Sequence, residues 1–306
     1  MFTTTKTKAA FFGDDVKSVL VVQSLISGIM MGAVYALLGV GFSLTWGVMK
    51  VINISHAAFG LIGAYLSYVL LKWWGIDPLL SLIITCPLLF FLACLLYRLV
   101  LQPVTKAKEI IVASMIATFG IAIIVENFLL LIAGPQPRLI TPWYTHKVLI
   151  LGPFYFQYPR LAGFLLAVAG VLVIHFFLKK TTVGKAVRAA WQQPEAAQLC
   201  GINLRNISMI TFGIAVASAG AGGVGLAFLY SFEPHAHNLW LIYLFLVVIV
   251  GGVGNVLGTA SAGIIVGVIT GFSMAFLPYQ WVNLLTFGLL MAILAIRPQG
   301  LFHSEV

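Results

Sequence analysis

The sequence has very few charged residues for its length. Only 8% of its 306 residues are Asp, Glu, Lys or Arg, whereas a soluble domain carries about 25%. Hydrophobic residues make up 61% of the chain. They occur in runs long enough to cross a bilayer, which takes roughly 20 residues as a helix. These features exclude an ordinary soluble protein and predict an integral membrane protein.

The apolar runs also lack the alternation of apolar and polar residues that marks the strands of a membrane barrel. Helices and closed barrels are the only structures that satisfy the backbone within a bilayer. The predicted fold class is therefore all-α: a polytopic membrane helical bundle with 8–10 spans. We expect a single transmembrane domain over residues 1–306.

Several kinds of chemical site are missing from the sequence. Its three cysteines, Cys86, Cys94 and Cys200, show no disulfide or metal spacing. No G-x-x-x-x-G-K-[ST] motif occurs, so the chain is not expected to bind ATP itself. We find no nucleophile–base pair or other catalytic cluster and predict neither an enzyme nor a metal site.

Basic residues give the expected orientation. The net charge of +9 is concentrated in short loops, chiefly residues 98–109 and 179–205, which two spans separate. The excess of Lys and Arg in cytoplasmic loops places both loops in the cytoplasm, together with the C-terminus. This membrane pattern disfavours nucleic-acid binding.

Residues 19–49 are too long for one untilted span and should hold more than one element. Lysines near the N-terminus favour the cytoplasm, which requires an even number of crossings before Lys50.

The loop at about 181–205 carries the most informative pattern. Residues 184–190 and 195–200 have helical composition, Pro194 suits the start of the second helix, and Gly201 suits a left-handed stop. A short helix is therefore expected outside the bilayer. Its Glu-Ala-Ala, residues 195–197, is followed four positions later by glycine, which matches the EAA-xxx-G signature of permeases in ABC (ATP-binding cassette) importers.

Four separated segments extend the likeness in the same order and spacing. They are GAVYALLGVGFSLTWGVMKVINISHAAFG (32–60), TTVGKAVRAAWQQPEAAQLCGIN (181–203), GGVGNVLGTASAGIIVG (251–267) and RPQGLF (297–302). Together they resemble the permeases of the branched-chain amino acid ABC importer family, in the shorter, H-type form. The resemblance covers nearly all of the chain after about Leu20.

This resemblance implies a type II-like permease of the bacterial inner membrane that translocates a small polar solute. The solute would be a branched-chain amino acid or a relative such as urea, a short amide or a carboxylic acid. The implied partners are a second permease (an M-type paralogue or a second copy), two cytoplasmic ATPases that bind ATP and Mg, an external solute-binding protein and membrane lipid. The implied ATPase-coupling residues are Gly184, Lys185, Arg188, Glu195, Ala196, Ala197 and Gly201.

Glu126 is the only acidic residue well inside a span, and the family usually has a Gln-Asn pair where this chain has Glu126 and Asn127. A carboxylate in a membrane usually faces a cavity or a partner. Glu126 could line the translocation pathway, pair with a basic residue or be protonated. Alternatively, it lies near the outer end of its helix and reaches water or Asn127.

Asn53, Ser55 and His56 interrupt the first helical region. Such breaks at membrane depth often mark transport sites, but a surface loop beside Lys50 is the favoured interpretation. In the external loop 231–238, two histidines in a His-x-His pattern near Glu233 are interpreted as a solvated surface facing the binding protein. The glycines of residues 251–258 do not have the spacing of a nucleotide-binding loop. They instead predict a tight turn and a close approach of two helices.

Two other functions remain in view. An ion-coupled secondary transporter needs membrane-buried charges, and only Glu126 qualifies. A membrane-embedded enzyme needs a catalytic cluster at one interface, which the sequence lacks.

Overall fold

A computed structural model describes residues 14–296 and 300–301 of the chain. Four of the six residues at 297–302 lie outside the described residues, as does the predicted cytoplasmic C-terminus. The helices are α1 (Asp14–Met49), α2 (His56–Trp74), α3 (Pro78–Leu96), α4 (Ile110–Ala133), α5 (Tyr158–Lys180), α6 (Thr182–Gln192), α7 (Pro194–Leu199), α8 (Leu204–Leu229), α9 (Ala236–Gly251), α10 (Val256–Phe276) and α11 (Tyr279–Ile296). Helix α3 continues through a π-helical turn, Tyr97–Leu101, into a last short turn, Gln102–Val104.

Seven of the described helices are long and apolar enough to cross a membrane by length and composition: α1 to α5, α8 and α10. Shorter apolar segments lie in α9 and α11. Successive spans alternate in direction and give the bundle two faces. We call the face with turns 105–109, 181–203 and 252–255 the basic face, and the face with turns 75–77, 134–157 and 230–235 the opposite face. The predicted all-α polytopic architecture is confirmed.

Helix α1 is one continuous helix of 36 residues, so the expectation of several elements within residues 19–49 is wrong. The physical reason is its central position: every residue from 30 to 45 is buried, so other helices surround this part of it. Near its start, the Gln23 amide bonds the backbone of Tyr155 on the opposite face. Near its end, the Ser43 hydroxyl accepts a hydrogen bond from the N–H of Gly254 on the basic face. The helix thus crosses once between the opposite face and the basic face.

Glycine seams bring the central helices unusually close. A Cβ added to Gly223 of α8 would overlap the carbonyl oxygen of Gly60 in α2. Between α1 and α10, a Cβ on Gly32 would lie 2.7 Å from the carbonyl oxygen of Gly263. Small residues at such crossings let helix backbones approach each other. The glycine-rich segment at 251–258 forms the α9–α10 turn, with φ of 84° at Gly252 and 82° at Gly254, as predicted.

Helices α3, α4 and α5 form the periphery of the bundle. In each of them, only 22% of an 18-residue apolar stretch is buried, compared with 78% in α1 and 83% in α8. Their exposed apolar faces are available to lipid or to another membrane subunit. The bundle therefore has a closely packed centre and a less enclosed periphery.

The long connection on the opposite face is more ordered than the sequence indicates. It contains an antiparallel hairpin of β1 (Val148–Leu151) and β2 (Phe154–Gln157). The Tyr144 phenol donates a hydrogen bond to the Asp77 carboxylate, with an oxygen–oxygen distance of 3.4 Å. Burial raises the pKa of the Tyr144 phenol, and the nearby Asp77 carboxylate raises it further. The phenol is thus kept as a donor that links this connection to the start of α3.

Candidate coupling and translocation sites

The coupling segment, which we define as α6 and α7, has the boundaries that its sequence predicts. Helix α7 begins at Pro194 and ends before Gly201, whose φ is 83°. The N–H of Gly201 donates to the carbonyl of Gln198 at 2.9 Å, and the N–H of Ile202 donates to that of Ala197 at 3.0 Å. This paired bonding is a Schellman stop, which favours glycine at the left-handed position. The predicted short helix and its stop are therefore present.

Small residues fix the coupling segment to the bundle. A Cβ on Gly184 would overlap the carbonyl oxygen of Phe177, so α6 lies directly against the end of α5. Ala197 is on the inner side of α7 and is only 5% exposed. On the outer surface, Lys185, Arg188, Glu195, Ala196 and Gly201 are exposed. The segment thus has a packed inner side and a free outer side, as a rigid docking element requires.

Two residues of this segment were not found by sequence reasoning. Trp191 packs closely over the α9–α10 turn. A Cβ added to Gly254 would lie only 2.6 Å from its indole ring. Leu199 is 90% exposed at the end of α7. The available signals were the single tryptophan of the basic loop and an apolar residue beside the predicted stop. Trp191 connects the coupling segment to the α9–α10 turn, and Leu199 leaves an apolar side chain exposed.

The break after α1 lies inside the bundle and not at its surface. The chain reverses at Lys50, which has a φ of 54°, and turns back alongside α4. The backbone N–H of Ile54 then donates to the Thr118 hydroxyl at 3.0 Å. His56 lies 3.2 Å from the carbonyl oxygen of Leu38, which precedes the end of α1 by 11 residues, about 16 Å along the helix.

The favoured interpretation of this break as a surface loop is therefore wrong. The side chains of Asn53, Ser55 and His56 are all fully buried. The Ser55 hydroxyl donates to the Asn53 amide oxygen at 2.6 Å, so the group partly satisfies itself. Among the described residues, the amide nitrogen of Asn53 and Nδ1 of His56 lack a hydrogen-bond partner. Unpaired polar atoms at this depth are costly, and they distinguish this break from ordinary core packing.

Glu126 lies on the opposite face, against one histidine of the α8–α9 turn and one of the first turn of α9. Its Oε1 contacts Nδ1 of His235, and its Oε2 is 3.4 Å from Nε2 of His237. His237 is buried, and its Nδ1 lies 3.0 Å from the carbonyl oxygen of Pro234. Of the alternatives open from sequence, the arrangement fits a carboxylate paired with basic side chains. The Asn127 amide instead donates back to Ile123 at 2.9 Å.

A cavity of about 490 Å³ opens beside this cluster on the opposite face. Tyr35 and Tyr243 stack in its wall with ring centroids 4.9 Å apart. Trp240, Glu233 and His235 also line it, so His235 connects the cavity wall to Glu126. Sequence reasoning missed the aromatic wall, although Trp240 and Tyr243 are spaced for one helix face. Apolar walls with a few polar groups are typical of small-molecule sites.

The structure therefore separates the residues predicted to share a pathway. Asn53, Ser55 and His56 lie at the middle of the bundle, while Glu126 and Asn127 lie near the opposite face. Within the described part of the chain, no hydrogen bond or ion pair joins the two groups. Among the described residues, no group of three His, Cys, Asp or Glu side chains is placed to hold a metal ion.

A multi-pass helical bundle with a break inside the bundle and a cavity open to one face has the architecture of an integral membrane permease. Residues 24–294 match the family described as the permease component of branched-chain amino acid transport systems. The chain belongs to this family, which confirms the resemblance drawn from its motifs.

Relatives with this description occur in bacteria and archaea. The chain is 26% identical to the high-affinity branched-chain amino acid transport system permease protein BraD of Pseudomonas aeruginosa, over 91% of this chain and 94% of BraD. It is 25% identical to LivH of Salmonella typhimurium, with the same coverage. It is 28% identical to a probable LivH of Methanocaldococcus jannaschii, over 90% of this chain and 91% of that protein. No solved structure gives a significant match.

Proposed function

We propose that this permease imports branched-chain amino acids, or close chemical relatives, as one subunit of an ATP-driven importer. The observation that carries the proposal is the coupling segment, whose inner side is packed and whose outer side is free. Two ATPase subunits dock on this outer side and hydrolyse ATP with Mg, and this chain itself binds neither. The basic face lies in the cytoplasm of a bacterial inner membrane, together with the C-terminus.

The substrate reaches the opposite face on a solute-binding protein. The cavity there offers the Glu233 carboxylate for an ammonium group and the Tyr35–Tyr243 wall for an apolar side chain. The polar break at Asn53 and His56 lies farther along the bundle and provides the next polar groups on the pathway. A second permease, an M-type paralogue or another copy, completes the pore.

Reconstitution distinguishes this function from ion-coupled transport. We expect the chain to purify with an ATPase, and liposomes containing the complete complex to accumulate labelled leucine only with ATP and the binding protein. The chain alone should show no uptake driven by a proton or sodium gradient. Gradient-driven uptake by the chain alone would establish the secondary transporter instead.

Substitution of Glu126 by glutamine tests the arrangement on the opposite face. Glu126 acts as a positioning residue, because its carboxylate holds His235 at the cavity wall. Loss of a charge-assisted contact costs about 1 kcal/mol, so we expect Glu126→Gln to raise the apparent KM for uptake about fivefold. The maximal rate should stay within about twofold, since the coupling segment is untouched. Initial rates over a range of substrate concentrations provide the measurement.

Asn127→Ala is the matched control for this substitution. Asn127 is exposed, and its amide bonds only its own helix, so its removal should leave KM and maximal rate unchanged. An unchanged KM in Glu126→Gln would remove Glu126 from the pathway. A fall in maximal rate with unchanged KM would assign it to a conformational step instead.

A further inference from the structure

A second cavity, of about 340 Å³, opens on the basic face between the coupling segment and the spanning helices. Its walls come from α1, α5, α6 and the α9–α10 turn. It shares no lining residue with the cavity on the opposite face. The import cycle proposed above does not use it, so its chemistry needs a separate explanation.

The cavity combines an apolar floor with a cationic rim. Val48, Val256 and Leu257 contribute apolar surface, while Lys179 and Arg188 are exposed at the edge. None of the lining residues is acidic. Within the described part of the chain, neither Lys179 nor Arg188 forms an ion pair. The cavity therefore presents two uncompensated positive charges next to a surface that disfavours water.

The cavity also lies where spanning helices end. Lys179 belongs to the last turn of α5, and Leu257 to the first turn of α10. This is the depth at which lysine and arginine side chains reach lipid headgroups while their stems lie along apolar surface. Basic pockets between membrane helices bind anionic headgroups on one side and leave the acyl chains in the bilayer. A soluble anion would make no use of the apolar floor.

We propose that this cavity binds an anionic phospholipid of the membrane, with its phosphate between Lys179 and Arg188. Its acyl chains lie against Val256 and Leu257. Because the lipid contacts α5, α6 and α10 together, it stiffens the link between the coupling segment and the bundle. Arg188, which the family resemblance assigns to ATPase coupling, acts in this arrangement through the lipid.

Lipid binding to the purified, delipidated chain, with any subunits that purify with it, tests this site. Native mass spectrometry would follow titration with dioleoyl phosphatidylglycerol and, separately, dioleoyl phosphatidylcholine. We expect the first bound phosphatidylglycerol to bind at least about tenfold more tightly than phosphatidylcholine, given two cations near the headgroup. The double variant Lys179→Gln with Arg188→Gln should lose this preference.

The matched control is Lys180→Gln with Lys185→Gln, which removes the same charge from exposed residues outside the cavity. It should keep the tenfold preference. Equal losses in the two double variants would reduce the effect to diffuse attraction and overturn the site. Displacement of the lipid by millimolar inorganic phosphate would identify a small-anion site and overturn the lipid assignment.

A third variant tests the apolar floor without changing charge. Leu257 is 59% exposed, so Leu257→Trp fills the cavity without burying a new group in the core. Phosphatidylglycerol binding should weaken about tenfold; unchanged binding would show that the lipid lies elsewhere. The assay measures lipid and not transport, so its result is independent of whether the chain works with an ATPase.

Discussion

Replacement of Leu199 by aspartate is expected to abolish ATP-driven uptake while the membrane bundle still folds. Leu199 is 90% exposed at the end of α7, where the bundle offers it no contact to lose. In the importer proposed above, the ATPase would cover it. Loss of that apolar burial costs about 2 kcal/mol, and an unpaired buried carboxylate adds to the cost. ATPase affinity should therefore fall at least about 30-fold, measured by co-purification and by uptake in vesicles.

Two further variants separate docking from folding. Leu199→Met conserves volume and apolar character and should retain most uptake. Asn206→Asp places a similar negative charge at an exposed position of the same face and should keep the ATPase bound. If Leu199→Asp retains both the ATPase and normal uptake, the outer side of α7 is not the docking surface. Loss of the folded chain in Leu199→Asp would contradict the packing described for α7.

Local signals account for the parts of the coupling segment that sequence predicts well. Pro194 sets the helical φ at the start of α7, and glycine is the residue best suited to the left-handed stop at position 201. Both effects act within a few residues, so they can be read without knowledge of the tertiary fold. The same holds for the α9–α10 turn with its two glycines of positive φ.

Depth in the bundle could not be predicted in the same way. Residues 19–49 exceed the length of an untilted span, but length alone does not distinguish one long central helix from two elements. Lys50 also resembled a marker of the membrane surface. Its reversal instead sends the next residues back beside Thr118, which is remote in sequence. Only tertiary packing shows that His56 belongs to the middle of the bundle.

Sequence patterns likewise could not predict which side chains pair with each other across the bundle. Glu126 was identified as exceptional because a carboxylate in a span is costly. Nothing local in the sequence pairs it with His235 of the α8–α9 turn or with His237 at the start of α9. The unusual residue could therefore be found from sequence, whereas its neighbours required the fold.

Glycine spacing gives the second large expected effect, on folding itself. In Gly223→Ala, the new Cβ would overlap the carbonyl oxygen of Gly60. That obstacle is backbone, which cannot move aside as a flexible side chain would, so α2 and α8 must separate along their whole crossing. We expect a loss of at least about 3 kcal/mol, seen as a large fall in thermal unfolding temperature and in the yield of monodisperse protein.

The same substitution at other glycines provides a graded control for this effect. Gly120 of α4 has no neighbouring atom within 4 Å of a Cβ position, so Gly120→Ala should be neutral or stabilise by up to about 1 kcal/mol through helix propensity. At Gly163 of α5 the new Cβ would lie 3.3 Å from the carbonyl oxygen of Gly225, which small shifts can relieve, so its cost should be intermediate. The loss of stability should therefore be largest at Gly223, smaller at Gly163 and absent at Gly120. This order follows from the distance between the new Cβ and the neighbouring backbone. Equal stability of the three variants would contradict the close α2–α8 crossing, and with it the fixed frame that holds His56 at the middle of the bundle.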